Sequence, residues 1–450
     1  MAQFQISEAF IEEFQNWISQ GLDTELSATL ERLFAADIAE IFGELNTQEC
    51  RYSLDLLLDE KAVSVFAELE HDKRVTLLKT YEPNEIATRF IPNLNSDDAV
   101  DILNELPHEL SEEIIGYVAD LEYSIQLVSL LHHDDDTAGG LMAKELIKVN
   151  INWTLAQCTE EIRKQAENVT KVNDIYVVDN RDVLLGIVPL KKILIERAHT
   201  KVSEVYDSNV VSTQVQTRAE EVANIMTKYN LEALAIVDSL KRLIGLVTID
   251  DVIDFVKEEA DKDYQLLSGI SENVESTDKV WVLSRARLPW LIIGLGGGLI
   301  NSFVIRGFEG ALSANLQLAL FMPLVAAMGG NAGVQSSSII VQGLANNTLD
   351  TKNFYIRLAK EFSVALINGL VCSGLLLGYS AIIGSPIDIA RVVSIALLSV
   401  IIFASIIGTL IPLILERFKV DPALATGPFI TTTNDLVGLF LYFTIAGMLL

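Results

Sequence analysis

Hydrophobic positions along this chain change their spacing twice. Over the first 130 residues they recur at helical intervals, as in AADIAEIFGEL, KAVSVFAELE and DDAVDILNELP. That period puts one apolar stripe on each of a series of helices. The three stretches read as degenerate copies of a short helical hairpin, and such units stack into a curved solenoid. From 138 to 258 helix and strand patterns alternate with a period near 60 residues. The first copy holds TLAQCTEEIRKQ, DIYVVD and LLGIVPLKKIL; the second holds RAEEVANIMTKY, ALAIVD and LIGLVTIDDVIDFV. Each is expected to run helix, strand, short turn, strand, helix. A polar stretch from about 258 to 280 follows, and a helix there would tie the soluble part to the rest. Beyond residue 286 five apolar segments cover about 288–305, 312–332, 361–383, 392–415 and 424–449. Each is near the length that a helix needs to cross about 30 Å of hydrocarbon. Pro323 and Pro428 fall in the second and fifth, where they are expected to break the helices along a cavity.

Charge divides the chain in the same place. Of 450 residues, 50% are hydrophobic and the formal net charge is −28, with a mean hydropathy of +0.34. Residues 287–450 hold seven acids and eight bases, whereas residues 1–286 hold 54 acids and 25 bases. So acidic a soluble part argues against nucleic acid as a partner and suits a surface that attracts cations; solubility alone is the plainer alternative. Bases flank the apolar segments unevenly. Arg285, Arg287, Lys352, Arg357, Lys360, Arg417 and Lys419 lie on one side, Arg306 and Arg391 on the other. The excess of bases places the long N-terminal part in the cytoplasm. Cys50, Cys158 and Cys372 form no motif, which suits a reducing compartment. The start, MAQFQISEAFIEEF, reads as an acidic amphipathic segment rather than a signal peptide.

Candidate chemistry then narrows to carboxylates. Asp435 is the one acid inside an apolar segment away from its ends. A carboxylate in lipid costs roughly 2.5–3.5 kcal/mol on insertion scales, so such a residue is kept where it faces a polar path. The plainer alternative is an aspartate that is neutral or paired inside the bundle. Thr431, Thr432 and Asn434 beside it are placed to hydrogen-bond an ion's water shell, or to bond between helices; Asn331 has the same two readings. Asp97 and Asp101 stand four apart and share a helix face, either bridged by a cation or solvated beside an N-cap at Ser96. Asp250, Asp251, Asp254, Glu258, Glu259, Asp261 and Asp263 crowd into 14 residues, a set of hard oxygen donors that suits Mg²⁺. HHDDD at 132–136 reads as an exposed linker. No GxSxG, P-loop, HExxH or Cys/His nucleophile set occurs, so the chain is not read as an enzyme.

The segment 138–258 resembles a tandem pair of CBS domains, and GLVTIDDVIDF carries most of that likeness. The resemblance implies an adenosine nucleotide such as ATP at Thr248 and Asp251. The first copy has Pro189 and Lys192 instead, which leaves one such site at most. Taken whole, the chain resembles the MgtE family of magnesium transporters. The most specific pieces are PLVAAMGGNAGVQSSS and DPALATGPFITTTNDLVG, with DTAGGLM and VTIDDVID in support.

The resemblance implies a multidomain fold: an all-α superhelical N-terminal domain (1–130), an α/β CBS pair (138–198 and 199–258), a connecting plug helix (259–284) and a five-helix transmembrane bundle (285–450). It implies a homodimer in the cell membrane, with its N-terminal domains cytoplasmic, its pore between subunits and lipid around it. In that pore Mg²⁺ meets Asp435, a backbone carbonyl at Thr431, and Asn331 within a glycine-rich stretch. It implies regulatory Mg²⁺ at Asp97, Asp101, Gly140 (through its backbone), Glu220, Asp251, Asp254, Glu259, Asp263 and Asp421. Four positions depart from the family pattern, where acids give way to Val65, Arg218, Asn230 and Lys262. Rival readings are a carrier of Co²⁺, Mn²⁺ or Ni²⁺, and a nucleotide-sensing CBS protein that the apolar segments merely anchor. The lack of His, Cys or Met beside Asp435 disfavours softer metals.

Overall fold

The computed structural model describes residues 6–166, 169, 172, 174–271, 274, 279–345, 354–425 and 427–450. Two compact units divide it, Met1–Val256 and Lys257–Leu450, and each is treated by itself.

The first unit begins with short helices. The three repeated stretches form Ala35–Glu44, Asp59–Ala67 and Ser96–Asn104. Long side chains tie successive layers together: Lys61 Nζ donates to the Glu31 carbonyl at 2.7 Å, Lys73 Nζ to the Gly43 carbonyl at 3.2 Å, and Arg89 Nε to Asp59 at 2.8 Å. Each of these bonds reaches 30 residues along the chain, the spacing of a stacked repeat. Phe42, Phe66, Phe90 and Leu103 belong to an apolar core that continues through Met142 to Val222 and Val252. The helices and the second CBS copy therefore share one interior.

Each CBS copy is a three-stranded sheet. In the first, β1 (Ile147–Asn150) runs parallel to β2 (Ile175–Val178), which pairs antiparallel with β3 (Leu184–Val188). In the second, β4 (Ser212–Gln214), β5 (Ala233–Val237) and β6 (Leu243–Thr248) repeat that order. The expected pattern lacked β1 and β4. Both are short, and β4 has one buried residue of three, so neither leaves a strong alternating signal. The two hairpin turns place Asp182 and Lys241 at positive φ, 61° and 62°. They bond to one another reciprocally: Leu184 N donates to the Lys241 carbonyl at 3.0 Å and Leu243 N to the Asp182 carbonyl at 2.9 Å.

A 19-residue helix, Ile249–Leu267, follows β6 directly. Its last part belongs to the second unit, whose five long apolar helices are span one (Val280–Gly307), span two (Gln317–Ala345), span three (Phe354–Ile382), span four (Ile387–Arg417) and span five (Gly427–Leu449). All five are long and apolar enough to cross a membrane. Span four is the centre, with Val393, Ala396 and Val400 packed against Val325 of span two and Tyr442 and Phe443 of span five. The Tyr442 hydroxyl donates to the Leu318 carbonyl at 2.8 Å, which satisfies it inside the bundle.

The helix breaks expected at Pro323 and Pro428 do not occur. Span two runs unbroken through Pro323. Pro428 is the second residue of span five, where its missing N–H would have had no helical partner anyway.

Candidate functional site

Span two presents Ala327, Asn331 and Gln335 on one line and Ala326, Gly330 and Val334 on the next, four residues apart in each case. Span five presents Thr431 and Asp435 at the same spacing. Together these eight residues line a cleft of ≈ 460 Å³. The walls on span two are small because the helices approach closely. A Cβ at Gly330 would stand 3.3 Å from Thr431 Cγ2 and 3.7 Å from Asp435 Oδ1. All polar donors to the cleft are oxygen or amide groups, the set that hard cations prefer. Asp435, Thr431 and Asn331 are thus brought together from two helices. The Thr431 hydroxyl donates to the Gly427 carbonyl at 3.0 Å, so that toward the cleft it is left with lone pairs to offer.

Asn434 and Thr432, read as partners of an ion's water shell, line other surfaces. Asn434 is 1% exposed and turns away from the cleft, with its amide against Gly333. Its Oδ1 and Nδ2 have no hydrogen-bond partner among the described residues. A Cβ at Gly333 would lie 1.8 Å from Asn434 Nδ2, and a Cβ at Gly408 would lie 2.3 Å from the Gly333 carbonyl. Spans two and four therefore meet at backbone distance here, and span five closes on them through the Asn434 side chain. The Thr432 methyl occupies the notch over Gly297 of span one.

A second acidic site forms within the first unit. Helix Ser96–Asn104 carries Asp97, Asp98 and Asp101 toward Asp251, and Glu145 closes the group. The solvated face expected as the plainer reading holds for Asp101, which is exposed, but not for Asp97, which is buried; the N-cap is Asn95, not Ser96. Ser96 is buried: its N and Oγ donate to Glu145 Oε2 at 3.2 and 2.7 Å, and Oγ accepts from Lys144 N at 2.8 Å. Asp97 is only 9% exposed. Burial first, then the neighbouring Asp251 and Asp98 charges, hold its carboxyl well above the usual range. Burial and the Asp251 charge push Asp98 up to about 6; burial and the Asp98 charge push Asp101 up to about 7. Asp251 is raised by burial although the Thr248 hydroxyl and N–H donate to its carboxylate.

This concentration of like charge needs either protons or cations. Sequence reasoning missed Asp98 and Glu145. Asp98 follows Asp97 directly and so lacked the four-residue spacing, while Glu145 is nearly 50 residues from its partner Ser96 and only the fold joins them.

Of the other expected regulatory residues, Asp254 is near enough for its charge to raise Asp251 further. Gly140 packs on the 134–135 backbone, where a Cβ would be 2.6 Å from the Asp134 carbonyl. Asp135, from the exposed HHDDD stretch, accepts from Asn104 Nδ2 at 3.3 Å and faces Asp101. Asp254 is exposed. Glu220 pairs with Arg218 at 3.4 Å, and Glu259 with Lys262 at 3.2 Å. Two of the four departures from the family pattern are therefore bases beside the acids concerned. Of the other two, Val65 is fully buried, and Asn230 ends its helix in the left-handed region at φ 52°. Asp421 Oδ1 accepts from Ala423 N at 2.8 Å in the turn before span five. Glu259, Asp263 and Asp421 belong to the second unit. Among the described residues, no three His, Cys, Asp or Glu side chains stand ready-placed as a metal cage.

A bundle of five apolar helices with a carboxylate cleft, joined in sequence to stacked helices and a CBS pair, defines a class: the CBS-bearing transporters of divalent cations. Family comparison agrees along the chain. Residues 322–445 match the divalent cation transporter domain, residues 33–136 the MgtE intracellular N domain, and residues 138–199 and 202–258 the CBS domain. The magnesium transporter MgtE of Bacillus subtilis is 31% identical over 95% of both chains, and that of Thermus thermophilus 31% over 99% of both. The chain belongs to the MgtE family. A solved cytosolic domain of the Mg²⁺ channel MgtE in complex with ATP is 28% identical, with a TM-score of 0.51 over 54% of this chain and 99% of that one.

Proposed function

We propose that this protein carries Mg²⁺ across the cell membrane into the cytoplasm, along a path through the cleft at Asp435, Thr431 and Asn331. The observation that carries the reading is the convergence of Asp435 and Thr431 with the glycine-bearing face of span two. Magnesium gives up water reluctantly, so the ion enters hydrated and Asp435 acts on it through water. In a homodimer whose copies meet along this cleft, two Asp435 carboxylates face one path. The doubled charge favours a divalent ion over a monovalent one. The carboxylate, hydroxyl and amide lining suits hard ions such as Mg²⁺ and Mn²⁺ and offers Co²⁺ or Ni²⁺ no imidazole or thiolate ligand.

The division of labour follows the sequence: residues 1–130 and the CBS pair sense the internal ion, the connecting helix, which runs Ile249–Leu267 rather than over the expected 259–284, transmits, and the five spans conduct. Internal Mg²⁺ at Asp97, Asp101 and Asp251, supported by Asp98 and Glu145, cancels their repulsion and favours the closed state. Asp254, Glu220, Glu259, Asp263, Asp421 and the Gly140 backbone belong to weaker or rebuilt sites, with Arg218 and Lys262 standing in for cations at two of them. ATP is proposed at Thr248 and Asp251. It would have to displace the Thr248–Asp251 bond, which makes nucleotide and Mg²⁺ competitors for one carboxylate.

The test is Mg²⁺ uptake into proteoliposomes by wild type and Asp435→Ala at matched protein levels. Loss of uptake in the variant is expected; full uptake would move the path elsewhere, and none in wild type would favour a membrane-anchored CBS sensor.

A further inference from the structure

A second cleft, of ≈ 870 Å³, opens in the second unit between span one, the start of span five and the turn that ends helix Ile249–Leu267. Its chemistry is ordered along span one. Arg287 is the one charged residue in its lining, and among the described residues it has no ion-pair or hydrogen-bond partner. Trp290 is beside it, and Leu291 and Leu295 continue the same face one and two turns on, 66% and 65% exposed. A cation, an interfacial aromatic and then an apolar stripe is the order met by a phospholipid at the bilayer edge. Arg287 is among the bases that mark the cytoplasmic side.

The far wall is the joint between the connecting helix and span five. A Cβ at Gly269 would lie 2.5 Å from Pro428 Cγ, and one at Gly427 would lie 2.3 Å from the Leu267 carbonyl. Leu266 is buried with Val341 of span two and Ala423. Thr431 lines this cleft and the Asp435 cleft alike.

We propose that this cleft binds an anionic phospholipid of the cytoplasmic leaflet, its phosphate on Arg287 and an acyl chain along Leu291 and Leu295. Occupancy of the cleft then biases the joint between the connecting helix and span five, and with it the position of Thr431. The binding half of this inference stands on the cleft alone; only its effect on transport rests on the path proposed at Asp435.

Native mass spectrometry of the full-length protein, washed in detergent containing phosphatidylglycerol or phosphatidylcholine, tests the binding. Wild type is expected to retain phosphatidylglycerol in preference by about fivefold, the discrimination one basic residue gives at a charged membrane surface. Arg287→Gln should abolish the preference, Leu295→Trp should lower retention of both lipids, and Arg285→Gln, outside the lining, should change neither. No preference in wild type, or an unchanged preference in Arg287→Gln, overturns the proposal. So does release of the lipid by glycerol phosphate alone, or a disulfide formed between two copies of Leu291→Cys, which would show a second subunit covering the cleft. Mg²⁺ uptake in liposomes with and without phosphatidylglycerol reads the second half: wild type should respond and Arg287→Gln should not. An Asp435→Ala protein that loses uptake but keeps its lipid leaves the binding intact, whereas a wild type that transports without selective lipid retention refutes this inference alone.

Discussion

At the scale of single residues, one close approach decides what can be changed. Gly333→Ala would press a methyl group into Asn434, and overpacking of a tight core costs about 1–3 kcal/mol. Gly298, with nothing within 4 Å of an added Cβ, is the matched control. Thermal melting in detergent should separate the two, with Gly333→Ala clearly lower; equal melting temperatures would mean that the Asn434 amide swings aside freely. The acids of the first unit give a pH prediction. Burial and neighbouring carboxylates push Asp98 up to about 6 and Asp101 up to about 7 in the folded chain, against an unfolded value of about 3.9. A raised carboxyl pKa means that the folded state holds protons which the unfolded chain releases. Its contribution to stability is full below the unfolded value and is lost as pH rises through 6 and then 7. Mg²⁺ replaces the missing protons, so its stabilising effect should be larger near pH 8 than near pH 5. A melting shift by Mg²⁺ that is the same at both pH values would contradict this.

Much at this scale was legible beforehand. Asp435 stood out because one charge in an apolar run is costly, and Asp97 with Asp101 because of their spacing. Asn434 was misread because its neighbour lines the cleft; one residue of rotation on a helix, about 100°, turned it toward Gly333 instead.

At the scale of elements, the helix Ile249–Leu267 carries the prediction. Lys262 pairs with Glu259 on it, as an i,i+3 pair at the surface, worth little as stability. Its consequence lies instead in cation demand, since a local positive charge lowers the need for a bound divalent ion. Lys262→Glu is therefore expected to make closure more sensitive to internal Mg²⁺, moving the half-closing concentration several-fold, as patch recordings would read. An unchanged concentration would separate Glu259 from the regulatory set. Helix periodicity was the most readable feature of this chain, from the repeated stretches to the five spans. Strands β1 and β4 escaped because they are only four and three residues long and lean on their parallel partners. The break expected at Pro323 failed because the neighbouring helices hold span two in one piece, with Leu318 and Val325 buried on either side of the proline.

For the molecule as a whole, the contrast between an acidic soluble part and a nearly neutral apolar part was readable from counts of charge. The clustering of acids in the first unit was not. It depends on a helix near residue 100, a loop near 145 and a helix near 250 meeting around one apolar core. Removing divalent ions should therefore loosen the first unit of the full-length protein, measured as faster proteolysis within residues 90–150 after chelation and its reversal by Mg²⁺. Asp251→Asn with Asp254→Asn should weaken that Mg²⁺ protection and shift inhibition of transport to higher Mg²⁺. Protection unchanged in the double variant would remove Asp251 from the sensing group.

The cleft at Asp435 is lined by two helices of a single chain, and Asn331 at its edge lies open. In the proposed dimer no copy owns a whole path. A cell that makes equal amounts of wild-type and Asp435→Asn protein would assemble only about a quarter of its pairs with both carboxylates. Such an allele would act dominantly, and its dosage curve would count the subunits in a path without any structure of the assembly.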